Sequence, residues 1–560
     1  MGSEMGVSAD SKAEPVLDPV GIFYICWAII WTLVMAAGMV FLISRRHLPI
    51  LRIRGLGLSL ASIVLLHLYW ASVQIGYVIG PLIPGDAEFW VMGIYLPFGM
   101  ALFHASNSRF LHVAKGQKKY GQRGSHWAEA RPAWLASGRG MRARFRRLDY
   151  TSKVLVLVAA GMVVQMSVTI VMYLVSRKFH SAWGIPGTEI HGTEMEQKMQ
   201  MGRGWEWWSS VLGQFVWAWM VAPIVLCKAR SIHDTQGWRL QTMVCTVANL
   251  HAAPMWLIAL YVPAMEPVNK YWLPPQWICA SIWIMQVFTV LLPCWEVMRQ
   301  QSLRQETLDC IAQWESNKQH TSTAKSLNSG STFVESVMTG WKSTNGSVRT
   351  NDSDESILTM GALEYVLERN PAPLQEFAAF RDFSGENIAF LTSVAQWKSS
   401  LPVALQQGRG SKGADHSSRQ LVRERYNGAL GIYAQFISVR DAHFPINISS
   451  HDLKRLEAIF ERSARILYGE KQSADPATPF DMDLKTGPPS SHESDAMPDF
   501  VHDRVQYWGA IADAFDETVF DDAEKSIKYL VLTNTWPKFV KGRRPSNSEQ
   551  QARQQTAQLV

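Results

Sequence analysis

Seven long apolar runs constrain this chain more than any other feature. Each is long enough to cross a hydrocarbon layer of about 30 Å, which takes about 20 helical residues. The runs cover approximately residues 20–43, 55–79, 89–105, 154–175, 209–227, 242–262 and 277–294, and no Asp, Glu, Lys or Arg lies well inside any of them. The third and seventh are the shortest. A soluble protein would have to bury all seven on every side, whereas a bilayer accepts them as helices whose backbone groups are satisfied internally. The expectation is a seven-span helical bundle over residues 20–297.

Orientation follows from the connecting segments, because Lys and Arg accumulate on the cytosolic side. Segments 44–54, 107–153 and 228–240 hold 19 of them, against 6 in segments 1–19, 80–88, 176–206 and 263–271. Residues 1–19 are therefore expected outside and the C-terminal half in the cytosol, at the plasma membrane or an endomembrane. Trp90, Trp205, Trp207, Trp208, Trp272 and Trp295 lie near run ends, as interfacial aromatic belts do. The first nineteen residues carry four acids and only Lys12, which does not suit a cleaved signal peptide. The opening Met1-Gly2-Ser3-Glu4-Met5-Gly6 lacks the Ser or Thr that myristoylation favours.

Several chemistries find little support. Cys26, Cys227, Cys245, Cys279, Cys294 and Cys310 lie in or beside the runs or in the tail, so they offer neither an extracellular disulfide framework nor paired zinc ligands. His180, His191, Met195, Met199 and Met201 are too scattered to define a soft-metal site. No metal, cofactor or nucleic acid is expected. Pumps keep ionisable groups inside their spans; here the strongly polar intramembrane residues are His67, His104, His251, Gln74, Gln165, Gln214 and Asn249, for which interhelical hydrogen bonding suffices. An extracellular ligand stays open as an alternative. The basic segment around Arg142, Arg144, Arg146 and Arg147, interleaved with Met141, Phe145 and Leu148, suits anionic lipid, a G protein or simple topology setting. The architecture resembles a G-protein-coupled receptor, but the third run ends Phe103-His104-Ala105-Ser106-Asn107-Ser108-Arg109, without an acidic-Arg-Tyr box.

Beyond the last run, Leu303, Leu308, Ile311 and Trp314 are spaced for a helix continuing along the membrane. Residues 316–356 are rich in Ser, Thr, Asn, Gly and Lys and read as a tether, so 298–355 is a juxtamembrane helix and linker. Helical periodicity then returns. Ile357, Met360, Leu363, Val366 and Leu367 form a stripe broken at Pro371 and Pro373, and Leu374, Phe377 and Phe380 form a second. Ser384 is placed to cap a third helix, with Glu386 and Asn387 exposed at its start.

The segment Phe383-Ser384-Gly385-Glu386-Asn387-Ile388-Ala389-Phe390, followed by Trp397-Lys398, resembles the signature of regulator of G-protein signalling (RGS) domains. The likeness continues through Ile432-Tyr433-Ala434-Gln435-Phe436-Ile437, Asn447-Ile448-Ser449, Phe520-Asp521-Asp522-Ala523, and Leu530 to Trp536-Pro537-Lys538-Phe539. It covers about 140 of the last 205 residues, in the family's order. Residues 402–424 and 470–515 look like insertions, the second with an amphipathic helix bearing Val501, Val505, Trp508, Ala512 and Phe515. The organisation resembles fungal-type membrane proteins that fuse seven spans to an RGS domain.

The resemblance implies an all-α protein: the transmembrane bundle, an RGS domain over 356–545 and a disordered tail over 546–560. It implies a partner, the α subunit of a heterotrimeric G protein in its GTP or transition-state form, and no catalytic base in this chain. Glu386 and Asn387 would contact the switch regions, Asn447 would sit near the α subunit's water-positioning Gln, and Leu530 would pack beside them. Asn534, Thr535 and Lys538 stand where the family usually has Asp-Ser followed by Arg, so one charged acceptor is lost. The alternative is a receptor-like sensor or scaffold that holds the α subunit with little acceleration of GTP hydrolysis.

Overall fold

The computed structural model describes residues 12–121, 150–180, 182–320, 358–400, 415–468 and 506–543. Among these the regular structure is helical, apart from an isolated bridge between Ser176 and Ile185. Seven helices are long and apolar enough to cross a membrane: Pro19–Ser44, Leu56–Ile79, Gly85–Gly121, Ser152–Val175, Glu194–Ala229, Trp238–Tyr261 and Gln276–Asp309. Each overlaps one of the expected runs. The third and seventh, shortest by sequence, extend well beyond their runs, because helix continues into polar sequence; the last helical stretch, Leu292–His320, reaches far past the apolar residues. The basic segment 141–148 and most of the tether lie outside the described residues.

What the apolar helices leave uncovered fits a bilayer. Val163 and Val164 are 66% and 62% exposed in a helix without one charged residue between Val154 and Val175. A helix apolar on every side and still uncovered suits a lipid surround, not water. Trp205, Trp208, Trp272 and Trp295 keep substantial exposure, but Trp207 is buried against Phe89 and serves the core instead of an aromatic belt.

The described residues divide into two compact units, one containing residues up to Val113 and then 150 through Val297, the other residues 114–121 and those from Met298 on. In the first, Asp18 caps helix Pro19–Ser44 by accepting from the Gly21 amide at 2.6 Å, with Pro19 at the position where a missing N–H costs nothing. Gly55, at φ +66°, turns the chain between helices Pro49–Arg54 and Leu56–Ile79. A Cβ there would stand 2.7 Å from the Arg109 guanidinium, whose Nε donates to the Ile53 carbonyl at 3.0 Å, so glycine serves both the backbone and the close approach. Met35, Ile63, Leu66, Tyr69 and Met285 fill the core.

The second unit is built from helices Met360–Arg369, Ala372–Phe377, Gly385–Ser399, Asp415–Ile432, Ser450–Tyr468, Asp521–Leu530 and Trp536–Arg543. Three of these helices run on into π turns, Ala378–Asp382, Tyr433–Ile437 and Val531–Thr535. The core is aromatic: Phe390, Tyr426, Tyr433, Phe436, Phe460, Phe520 and Trp536 are fully buried, and Phe460 stacks on Phe520 at 5.9 Å. Lys398 reaches both Asp521 and Glu524 at 2.6 Å, tying the end of one helix to the start of another.

Of the expected insertion 402–424, residues 402–414 lie outside the described residues and 415–424 are the first turns of helix Asp415–Ile432. One expectation needs correction here. The amphipathic helix expected near Trp508 does not form in its described part, 506–520, which is turns and irregular chain. The physical reason is Asn427, whose amide accepts from the Tyr507 N–H at 2.7 Å and donates to the Tyr507 carbonyl at 3.2 Å, taking both groups a helix would use. Trp508 is left 70% exposed beneath Arg423, while Phe515 packs on the core. Val501 and Val505 lie outside the described residues, as does Ile357.

Candidate partner-binding site

Two of the segments that the resemblance assigns to one binding face meet in the second unit, and the residue that joins them is Asp382. Its carboxylate, 1% exposed, accepts from Thr535 Oγ1 at 2.8 Å, Lys538 Nζ at 2.8 Å and Ser384 Oγ at 2.9 Å. The Ser384 and Thr535 hydroxyls are themselves 3.2 Å apart. The next residue, Phe383, is the single described non-glycine residue at positive φ, 53°, and its ring is buried. That conformation costs about 1–3 kcal/mol in a bulky residue and is held by the ring's burial and by the clamp on either side.

This clamp revises the capping role drawn from sequence for Ser384. Ser384 occupies the N-cap position of helix Gly385–Ser399, but its hydroxyl caps nothing because Asp382 engages it. Thr535 is buried and Lys538 is ion-paired at 8% side-chain exposure, so both are held by this chain. Asn534 and Leu530 are half-buried beside them, and Asn447 is exposed three residues before helix Ser450–Tyr468. Ile446 and Ile448 on either side of Asn447 pack in the unit's core, and the Ile446 amide donates to the Phe436 carbonyl at 2.8 Å.

Glu386 and Asn387, expected to be exposed, are 8% and 6% exposed. Part of the Glu386 contact comes from residues 114–121, the end of helix Gly85–Gly121. Gln117 accepts from the Gly385 amide at 3.1 Å and donates to Glu386 Oε2 at 2.8 Å, and so supplies the cap that Ser384 does not. Gln375 Nε2 donates to the carbonyls of Tyr120 and Gly385 at 2.7 and 3.0 Å. Sequence reading missed Asp382, Gln117 and Gln375; each is a single polar residue with at least one partner more than 150 residues away along the chain.

Intramembrane polar residues mostly find partners in the first unit. His67 meets Thr32 at 3.0 Å, Gln74 and Gln276 exchange hydrogen bonds at 2.9 and 3.1 Å, and Asn249 donates to Met285 Sδ at 3.3 Å, in line with interhelical bonding. Gln165 bonds within its own helix to Thr169. His104 differs: it is buried and stacked 5.0 Å from Trp217, with neither ring nitrogen hydrogen-bonded among the described residues. Lys178 and Glu206 form a buried ion pair at 3.2 Å that the sequence did not signal. Among the described residues no group of three or more His, Cys, Asp or Glu could hold a metal ion. Compared with known proteins, the chain matches no family model, no curated protein and no solved structure.

Proposed function

We propose that this is a multi-pass membrane protein, N-terminus outside and C-terminal unit in the cytosol, whose second unit is an RGS domain that binds a G-protein α subunit and accelerates its GTP hydrolysis. The observation that carries the reading is the clamp on Asp382. It brings the motif Phe383 to Phe390 and the segment Leu530 to Lys538 together, as a shared binding face requires, although some 150 residues separate them. The exposed Asn447, seated on core residues at the start of a helix, suits a polar contact to a partner.

The chain would supply neither base nor arginine finger. A Gα subunit carries its own catalytic Arg in cis, and its water-positioning Gln must be held in place. A protein that binds best to the switch conformation present in the transition state lowers that barrier by differential binding alone. A second reading, a receptor-like scaffold that only holds the α subunit, draws on the burial of Glu386 and Asn387 and on the engagement of Lys538 by Asp382.

Binding of the full chain in nanodiscs to a panel of Gα subunits separates the two. The accelerator reading expects clear preference for the GDP–aluminium fluoride form over the GTP-analogue and GDP forms. Equal affinity for the aluminium fluoride and GTP-analogue forms would favour the scaffold, and no binding to any form would remove both.

A further inference from the structure

We infer that residues 114–121 are a built-in cover over the partner-binding face around Glu386 and Asn387, so that a partner binds there only when this segment leaves. The inference rests on the proposed Gα-binding function. Residues 114–121 are packed in the second unit, yet they are the last turns of one unbroken helix, Gly85–Gly121, whose apolar part is long enough to cross a membrane.

The contact is fitted on both sides. Gln117 is fully buried and spends both ends of its amide on the start of helix Gly385–Ser399, one on the Gly385 N–H and one on the Glu386 carboxylate. Tyr120 is 7% exposed, with its ring 6.3 Å from those of both Phe436 and Phe444. Three glycines permit the approach. A Cβ at Gly116 would stand 2.6 Å from the Phe444 ring, one at Gly121 2.5 Å from Phe380, and one at Gly385 2.9 Å from Tyr120 Cβ. Any side chain at these positions would push the segments apart, so this packing is specific to the glycines present.

The face beneath is not at rest in the covered state. Asn387 is 6% exposed, and its Oδ1 has no hydrogen-bond partner among the described residues. A buried acceptor without a donor is costly, and Asn387 directly follows the residue that Gln117 engages. A partner that displaces Gln117 from Glu386 and supplies a donor to Asn387 as well therefore has an advantage over the segment.

The test uses the full chain in nanodiscs with a panel of Gα subunits loaded with GDP and aluminium fluoride. Gly116→Leu wedges the cover against Phe444, and Gln117→Ala removes its hydrogen bonds with less disturbance. Both are expected to raise affinity about tenfold. Independently of any variant, hydrogen exchange in wild type should quicken over residues 114–121 and slow around Asn447 when the Gα subunit is added. Binding by wild type that neither substitution strengthens, with residues 114–121 equally protected in the complex, overturns the cover while leaving the Gα reading intact. Failure of the wild type and both variants to bind any Gα subunit overturns that reading and the cover with it.

Discussion

Asp382→Ala should unlock the last helix of the second unit. The carboxylate is 1% exposed and accepts from Thr535, Lys538 and Ser384 within 2.9 Å, Lys538 being a cation. Its removal leaves a nearly buried ammonium unpaired, a loss that typically costs about 3–5 kcal/mol. The Thr535 and Ser384 hydroxyls keep each other, at 3.2 Å, so they add little to the total. At about 1.4 kcal/mol per tenfold, amides in residues 531–543 should exchange with solvent about two to three and a half orders of magnitude faster, as read by hydrogen-exchange mass spectrometry on the full chain. Asp382→Asn combined with Lys538→Met removes both charges and should cost less than Asp382→Ala alone, because no uncompensated charge remains. A change under tenfold for Asp382→Ala, or a double variant worse than the single, would refute the claim that a buried ion pair holds these segments together.

Three further outcomes are expected. Asn345, Asn351 and Asn447 each begin an Asn-x-Ser sequon, and all three should lack glycan in cell membranes; mass-spectrometric detection of sugar on any of them would reverse the orientation. Burial pushes the Glu524 carboxyl up, but hydrogen bonds from Lys398 and Lys528 together hold it below its ordinary 4.5. A depressed carboxyl contributes stability above the unfolded-state value and loses it as pH falls through the folded one. Lys398→Met should therefore destabilise at pH 7, by about 1 kcal/mol or less for so exposed a pair, with the deficit shrinking below pH 4.5; melts showing a deficit that grows with acid would contradict this. Asn534→Asp should tighten binding to the aluminium fluoride form of Gα, since a carboxylate accepts more strongly than an amide; with Lys538 already held by Asp382, a weaker complex would mark Asn534 as a selectivity device.

The apolar helices were legible because length and lack of charge suffice to mark them. The polar continuation to Gly121 was not, since residues 106–121 carry no apolar run, and their last part, 114–121, belongs to the second unit, where Tyr120 joins the core. Periodicity correctly placed Leu363, Val366, Leu374, Ile388 and Phe390 in the second core. It failed around Trp508, where a helical spacing was coincidental and one distant side chain, Asn427, decided the backbone. For Glu386 and Asn387 the pattern distinguished the apolar side of their helix from the polar one. It could not reveal that Gln117, some 270 residues earlier, engages Glu386, because sequence spacing reports nothing about which element will pack there.

Single-turnover GTP hydrolysis by a panel of preloaded Gα subunits, with and without the full chain in nanodiscs, bears most directly on the proposed function. At least one α subunit should hydrolyse GTP faster with the wild-type chain and faster still with Gln117→Ala. Adding Asn447→Ala should remove most of that gain at a stability cost of about 0.5 kcal/mol or less, as an exposed position allows. Hydrolysis rates that no form of the chain changes, for any α subunit, would contradict the account.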